Sequence, residues 1–177
     1  MSKNDLRREL LPLTREQLID IITDAYSARK EIKAYFDFFV NPDVDKLSEK
    51  YQRDIAKELS RSKWGRSKAR ISVINKLLKD FQGYNPGDEH VLALYYYAIQ
   101  ILLLTEYQLP FTDTLYKGIS KLILKALEMA DEQGESSKAI EIFSRIIDPE
   151  TVGYTRIGKR LVRETIESYR VENPLKS

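Results

Sequence analysis

Cysteine is missing from this 177-residue chain, and His90 is its single histidine. Most nucleophile–base pairs and most transition-metal sites are built from these two residue types, so the composition argues against both kinds of site. The sequence also lacks a glycine-rich phosphate loop, a nucleophile elbow and a zinc-binding motif. We therefore expect a protein that holds no cofactor and has none of the familiar enzymatic activities.

Long apolar runs are missing as well. The longest, residues 91–104, contains Gln100 and falls short of the roughly 20 residues that span a bilayer. It therefore predicts a buried helix. Residues 1–5 lack the apolar stretch of a secretory signal, so we expect a cytoplasmic protein that makes no membrane contact.

Apolar residues recur at helical spacing along almost the whole chain, and no segment shows the alternation of a strand. Thr14 and Gln17 have the form of a capping box that begins one of the helices. Gly134 has the place of a helix-ending glycine. The pattern predicts an all-α fold of about seven amphipathic helices in a compact bundle or a short α-α array. A central apolar helix is expected at about residues 90–107.

The length and the composition indicate one folded domain. A domain averages about 150 residues, so a chain of 177 residues suits one domain. Its 42% hydrophobic and 32% charged residues are typical of a chain that folds around a hydrophobic core. We expect a single all-helical domain over residues 1–177, with an N-terminal helical sub-unit over residues 1–42. Gly118 and Gly158 fall inside helical segments and predict close approach of a neighbouring backbone.

Charge is distributed unevenly, although the net charge is only +2. Residues 51–81 contain 9 basic and 3 acidic side chains, whereas residues 82–135 contain 3 basic and 8 acidic ones. Such asymmetry is typical of an anionic partner, of faces that pair within one chain, or of an oligomer that joins opposite charges.

The densest positive charge lies in residues 57–70, which also hold the only tryptophan. Arg and Lys neutralise phosphates, and an indole can stack on a base. This segment is therefore the candidate site for an anion or a partner, and its residues are Lys57, Arg61, Lys63, Trp64, Arg66, Lys68 and Arg70. The other interpretation is a solvated basic loop whose Trp64 packs onto the core.

A second basic cluster falls in the last helical segment. Its four residues share one helix face because they are spaced by three and four positions: Arg156, Lys159, Arg160 and Arg163. The cluster predicts either the polar face of an ordinary amphipathic helix or a second anion-binding surface.

Three further features have simpler interpretations. His90 follows two carboxylates, which suits a solvated or capping residue better than a metal ligand. Acidic pairs lie on the sides of helices opposite the apolar positions, as solvated faces do: Glu128 with Asp131 and Glu132, Glu132 with Glu135, and Glu164 with Glu167.

Tyr95, Tyr96 and Tyr97 span about 200° of a helix, so at least one hydroxyl should be buried with a partner or face an interface.

The order of the segments resembles a family of small, all-helical bacterial proteins of unknown function. The likeness lies in residues 6–26, in Tyr35-Phe36-Asp37-Phe38-Phe39-Val40-Asn41-Pro42, in Lys68-Ala69-Arg70 before the next helix, and in the tyrosine-containing apolar helix from Leu92. The resemblance implies a helical fold and no particular activity.

The features together predict a non-enzymatic helical interaction or regulatory protein that binds a protein partner or a second copy of itself. The alternative is a nucleic-acid-binding protein that uses residues 57–70 for phosphate contacts. A Mg²⁺-dependent hydrolase is a distant third reading, because it would need carboxylate pairs aimed inward.

Overall fold

A computed structural model describes residues 2–60, 69–106 and 111–173. Those ranges contain nine α-helices and no strand, which confirms the predicted all-α fold. The helices are α1 (Lys3–Leu10), α2 (Arg15–Ala28), α3 (Lys30–Val40), α4 (Val44–Leu59), α5 (Ile71–Gln82), α6 (Asp88–Glu106), α7 (Asp113–Glu132), α8 (Ser136–Ile147) and α9 (Arg156–Glu172).

The described helices outnumber the expected seven. Part of the difference arises near the N-terminus, where residues 3–10 form a helix of their own and Arg29 separates α2 from α3. Arg29 adopts an extended conformation, with φ −139° and ψ 126°. Two helix ends were predicted correctly: Thr14 and Gln17 form the capping box that begins α2, and Gly134 has a φ of +72° just after α7.

The chain divides into two compact units, Met1–Asp43 and Val44–Ser177. In the first unit, α2 and α3 pack together, and the Tyr26 hydroxyl donates a hydrogen bond of 2.7 Å to Asp37. None of the three helices of this unit contains a buried residue. The single domain over residues 1–177 stays a prediction.

The second unit is built around α6, the central apolar helix of the prediction. α6 packs against α4, α5 and α7, while α7 packs against α8 and α9. Eight residues of α6 are buried, among them Leu94, Ala98, Ile99 and Leu102. None of the helices in the described ranges combines the length and the apolar character needed to cross a membrane.

Helix α7 lies between α5 and α9. Its Gly118 faces Ile71 of α5, and the hydroxyl of its Ser120 lies 3.4 Å from that of Thr165 on α9. Because two residues along a helix turn the direction of a side chain by about 200°, α5 and α9 pack on opposite sides of α7. A side chain therefore approaches Gly118, and not the backbone that the sequence led us to expect.

Gly118→Ala should destabilise the protein, because the added methyl group would overlap Cγ1 of Ile71. Overpacking typically costs about 1–3 kcal/mol, against about 1 kcal/mol gained in helix propensity. A double-mutant cycle with Ile71→Ala, measured by urea unfolding, isolates the contact: Gly118→Ala should cost less stability when Ile71 is already alanine. Equal costs in both backgrounds would show that the overlap does not limit packing.

Candidate functional site

A basic groove of about 620 Å³ lies between the α8–α9 loop and the first half of α9. Four of its ten lining residues are basic and none is acidic. The lining residues are Ile147, Pro149, Thr151, Val152, Gly153, Tyr154, Arg156, Lys159, Arg160 and Arg163. The second basic cluster of the sequence is therefore brought together in one concave surface.

Local sequence explains why α9 begins at the groove. The hydroxyl of Thr155 accepts a hydrogen bond of 2.9 Å from the backbone N–H of Gly158, which caps the helix. Gly153, with a φ of +93°, turns the chain just before this cap. The buried face of α9 then includes Val162, Ile166 and Tyr169, so the basic residues emerge on another face.

The side chain of Lys159 holds the groove's loop in place. Its Nζ donates to the carbonyl oxygens of Asp148 and Thr151, at 2.6 and 2.7 Å. Its positive charge is thus used to satisfy backbone carbonyls, and it acts as a positioning residue more than as a contact for a ligand.

The three arginines of the groove are differently engaged. Arg160 lies 3.7 Å from the carboxylate of Glu164, an exposed pair that contributes little. Arg156 and Arg163 are exposed and have no carboxylate partner among the residues that the structure describes. Two guanidinium groups are therefore open to an anionic group in the groove.

Glu106, the last residue of α6, packs against the first turn of α9. The residue is only 5% exposed, and its Oε1 accepts a hydrogen bond of 2.7 Å from the Tyr116 hydroxyl. Its Oε2 is buried without a hydrogen-bond partner in the described ranges, and a Cβ on Gly158 would lie 2.6 Å from it. The partial positive charge at a helix N-terminus stabilises such a carboxylate.

Sequence reasoning missed Glu106, although a signal was present: it is the only charged residue between positions 91 and 112. It also misjudged what approaches Gly158, which is a carboxylate and the Leu103 side chain in place of a backbone. Burial and the hydrogen bond to Glu106 raise the pKa of Tyr116 to about 12.

The first basic segment is described only at its two ends. Lys57 lies 3.2 Å from Asp54. Arg70 donates from Nε and Nη2 to the two carboxylate oxygens of Glu58, at 2.8 and 3.0 Å, and Glu58 is 9% exposed. The other predicted site residues lie outside the described ranges: Arg61, Lys63, Trp64, Arg66 and Lys68.

The described part of this segment and the groove belong to different parts of the second unit. Arg70 precedes α5, and α5 and α9 pack on opposite sides of α7. The described residues therefore do not join the two clusters into one site.

The remaining candidates do not form a metal centre. His90 Nε2 lies 3.4 Å from Glu89 Oε1, and the described ranges contain no group of three or more His, Asp or Glu that could hold a metal ion. Tyr96 packs edge to face on Phe143, at 5.7 Å between ring centroids. Its hydroxyl is buried but has no partner within those ranges; the expectation that at least one hydroxyl of Tyr95, Tyr96 and Tyr97 is buried with a partner or faces an interface stays a prediction.

Comparison with known proteins adds a family. Residues 1–150 match the model of a family of unknown function, DUF6155. The chain belongs to this family. The predicted resemblance to a family without an assigned activity is thereby confirmed. No curated protein and no solved structure matches the chain. Because the DUF6155 match ends at residue 150, most of the groove lies beyond it, and the site rests on its own geometry.

Stability should fall at alkaline pH. Burial raises the pKa of Tyr96 and of Tyr116 to about 12 in the folded protein, against about 10 in the unfolded chain. Above pH 10 the unfolded state therefore loses these protons first, and the free energy of unfolding should decline between about pH 10 and about pH 12. Urea unfolding across this range would measure the decline.

Tyr116→Phe is the matched variant for that experiment. It should reduce the alkaline slope, and it should also cost about 1–3 kcal/mol at neutral pH because Glu106 loses its hydrogen bond. An unchanged slope would mean that the Tyr116 phenol titrates alike in both states.

Arg70→Ala should lower the urea midpoint, because the buried Glu58 carboxylate would lose two charged hydrogen bonds. Lys57→Ala is the matched control, since its partner Asp54 is more exposed and such pairs contribute little. We expect the loss for Arg70→Ala to be at least about twofold larger. Equal losses would show that Arg70 has no structural role and is free for a partner.

Proposed function

We propose that this protein is a non-enzymatic helical interaction protein whose basic groove holds a carboxylate-bearing segment of a partner protein. The observation that carries the proposal is the charge of the groove: four cations and no acid among the ten described lining residues. Arg156 and Arg163 would supply the contacts, since a planar guanidinium binds a carboxylate through two parallel hydrogen bonds.

The size and the apolar part of the groove favour a protein ligand over nucleic acid. About 620 Å³ suits a few residues or one small molecule. Ile147, Val152 and Tyr154 offer apolar contacts, and Val152 is 88% exposed. Tight nucleic-acid binding draws on about 6–10 phosphate contacts, whereas this groove has two arginines that lack a carboxylate partner within the described part of the chain.

The chemistry of the lining supports binding without catalysis. Histidine, cysteine and carboxylate side chains are absent from the described lining residues, so this lining lacks the residue types that most often act as a general base or an activated nucleophile. Burial raises the pKa of Tyr154 above its ordinary value, which makes this phenol less able to give up its proton and act as a base.

The alternative function is nucleic-acid binding through residues 57–70, and the basic residues of that segment support it. Two of its seven residues, Lys57 and Arg70, already contact carboxylates within the chain. The alternative therefore depends on Arg61, Lys63, Trp64, Arg66 and Lys68, and a test of the groove should include RNA as a second probe.

Fluorescein-labelled decaglutamate would test the proposal by fluorescence anisotropy at about 20 mM salt, where surface charges are weakly screened. We expect saturable binding that Arg156→Ala/Arg163→Ala weakens at least about tenfold, because each charged contact contributes about 1 kcal/mol or more. The control, Arg53→Ala/Lys76→Ala, removes the same charge from exposed sites on α4 and α5.

The outcomes distinguish binding in the groove from nucleic-acid binding through residues 57–70. Binding that survives in the control and is lost in the groove variant supports the proposal. Equal weakening in both variants would overturn it, since net charge alone would explain the binding. A single-stranded RNA of equal charge that binds where decaglutamate does not would favour the alternative, with Trp64 fluorescence as the local reporter.

A further inference from the structure

The contacts between α6 and α7 define two ends of the second unit, and the groove lies at one of them. Glu106 meets Tyr116, while Tyr95 lies close enough to Lys125 for that charge to affect its pKa. The two helices therefore run antiparallel, with the end of α6 beside the start of α7. Gly158 contacts Glu106 and Gly153 contacts Leu104, which places the groove at this end.

Acidic residues gather at the opposite end, where α6 begins and α7 ends. The antiparallel register brings Glu89, in the first turn of α6, beside Glu132, in the last turn of α7. The carboxylates of this acidic end are Asp88, Glu89, Glu128, Asp131, Glu132 and Glu135. Lys125 and Lys138 pair with Glu128 and Glu135, and Ser136 donates to Asp131.

Negative charge remains at the acidic end after these pairings. Glu89 is 81% exposed and lies 3.4 Å from His90, and neither Asp88 nor Glu132 has a basic partner in the part of the chain that the structure describes. Residues 88–89 and 125–138, which α6, α7 and α8 contribute to this end, contain six carboxylates and two lysines. The groove presents the opposite charge, because Arg156 and Arg163 have no carboxylate partner among the described residues.

We propose that the acidic end of a second copy of this chain, around Glu89 and Glu132, occupies the basic groove. This inference rests on the proposed function and names its partner. One molecule cannot satisfy both ends by itself, because α8, whose 12 residues follow Glu135 at the acidic end and reach Ile147 in the groove, holds them about 18 Å apart. Charge complementarity between two different surfaces gives a head-to-tail contact, which extends to further copies unless it closes into a ring.

Sedimentation velocity of the full chain at about 20 mM and about 300 mM salt tests the inference. Wild type should self-associate with rising concentration at low salt and dissociate at high salt. Arg156→Glu/Arg163→Glu reverses the groove, and Glu89→Lys/Glu132→Lys reverses the acidic end. Each variant should remain monomeric alone. An equal mixture should associate again, because the intact acidic end of one variant meets the intact groove of the other, and the two reversed surfaces are also opposite in charge.

Arg53→Glu/Lys76→Glu is the matched control, since it makes the same change in net charge as the groove variant and leaves both ends intact. It should self-associate like wild type. Self-association that survives both end variants would overturn the head-to-tail contact. Wild type that stays monomeric at low salt would also overturn it. If that monomer still binds decaglutamate through Arg156 and Arg163, the proposed function stands with another partner; if it binds none, both proposals fail.

Discussion

The buried carboxylate of Glu106 is the constraint on which the arrangement of the second unit depends. A carboxylate that is 5% exposed carries a desolvation cost of several kcal/mol unless it is compensated. The hydroxyl of Tyr116 compensates one oxygen, and the first turn of α9 lies against the other. The end of α6 is thereby tied both to α7 and to α9. Gly158 follows from this, because any side chain there would displace the carboxylate.

The same placement of α9 produces the groove. Once Gly158, Val162 and Tyr169 face inward, the helical spacing leaves the basic residues on a neighbouring face beside the α8–α9 loop. Lys159 donates hydrogen bonds to carbonyl oxygens of the α8–α9 loop and so holds this loop beside the helix. The three arginines line the groove between them. The buried face and the basic face of α9 are therefore two consequences of one helix register.

Local features of the fold were predictable from the sequence, and contacts between distant residues were not. The Thr14–Gln17 capping box and the turn at Gly134 depend on a few neighbouring residues, so their patterns sufficed. The basic face of α9 also followed from spacing alone. The partner of Glu106 lies more than fifty positions away at Gly158, and no local pattern encodes it. For the same reason the sequence showed that Lys159 is basic but not that the α8–α9 loop uses its charge.

The uneven distribution of charge along the chain becomes a separation in space because α6 and α7 run antiparallel. The acidic residues at the start of α6 and the end of α7 meet at one end, and α9 brings its arginines to the other. These ends are about 18 Å apart along α8, whereas charges are screened beyond about 8 Å at physiological salt. Within one molecule, the charge of one end therefore does little to neutralise the charge of the other. A chain with a net charge of +2 therefore still presents two separate surfaces of opposite charge.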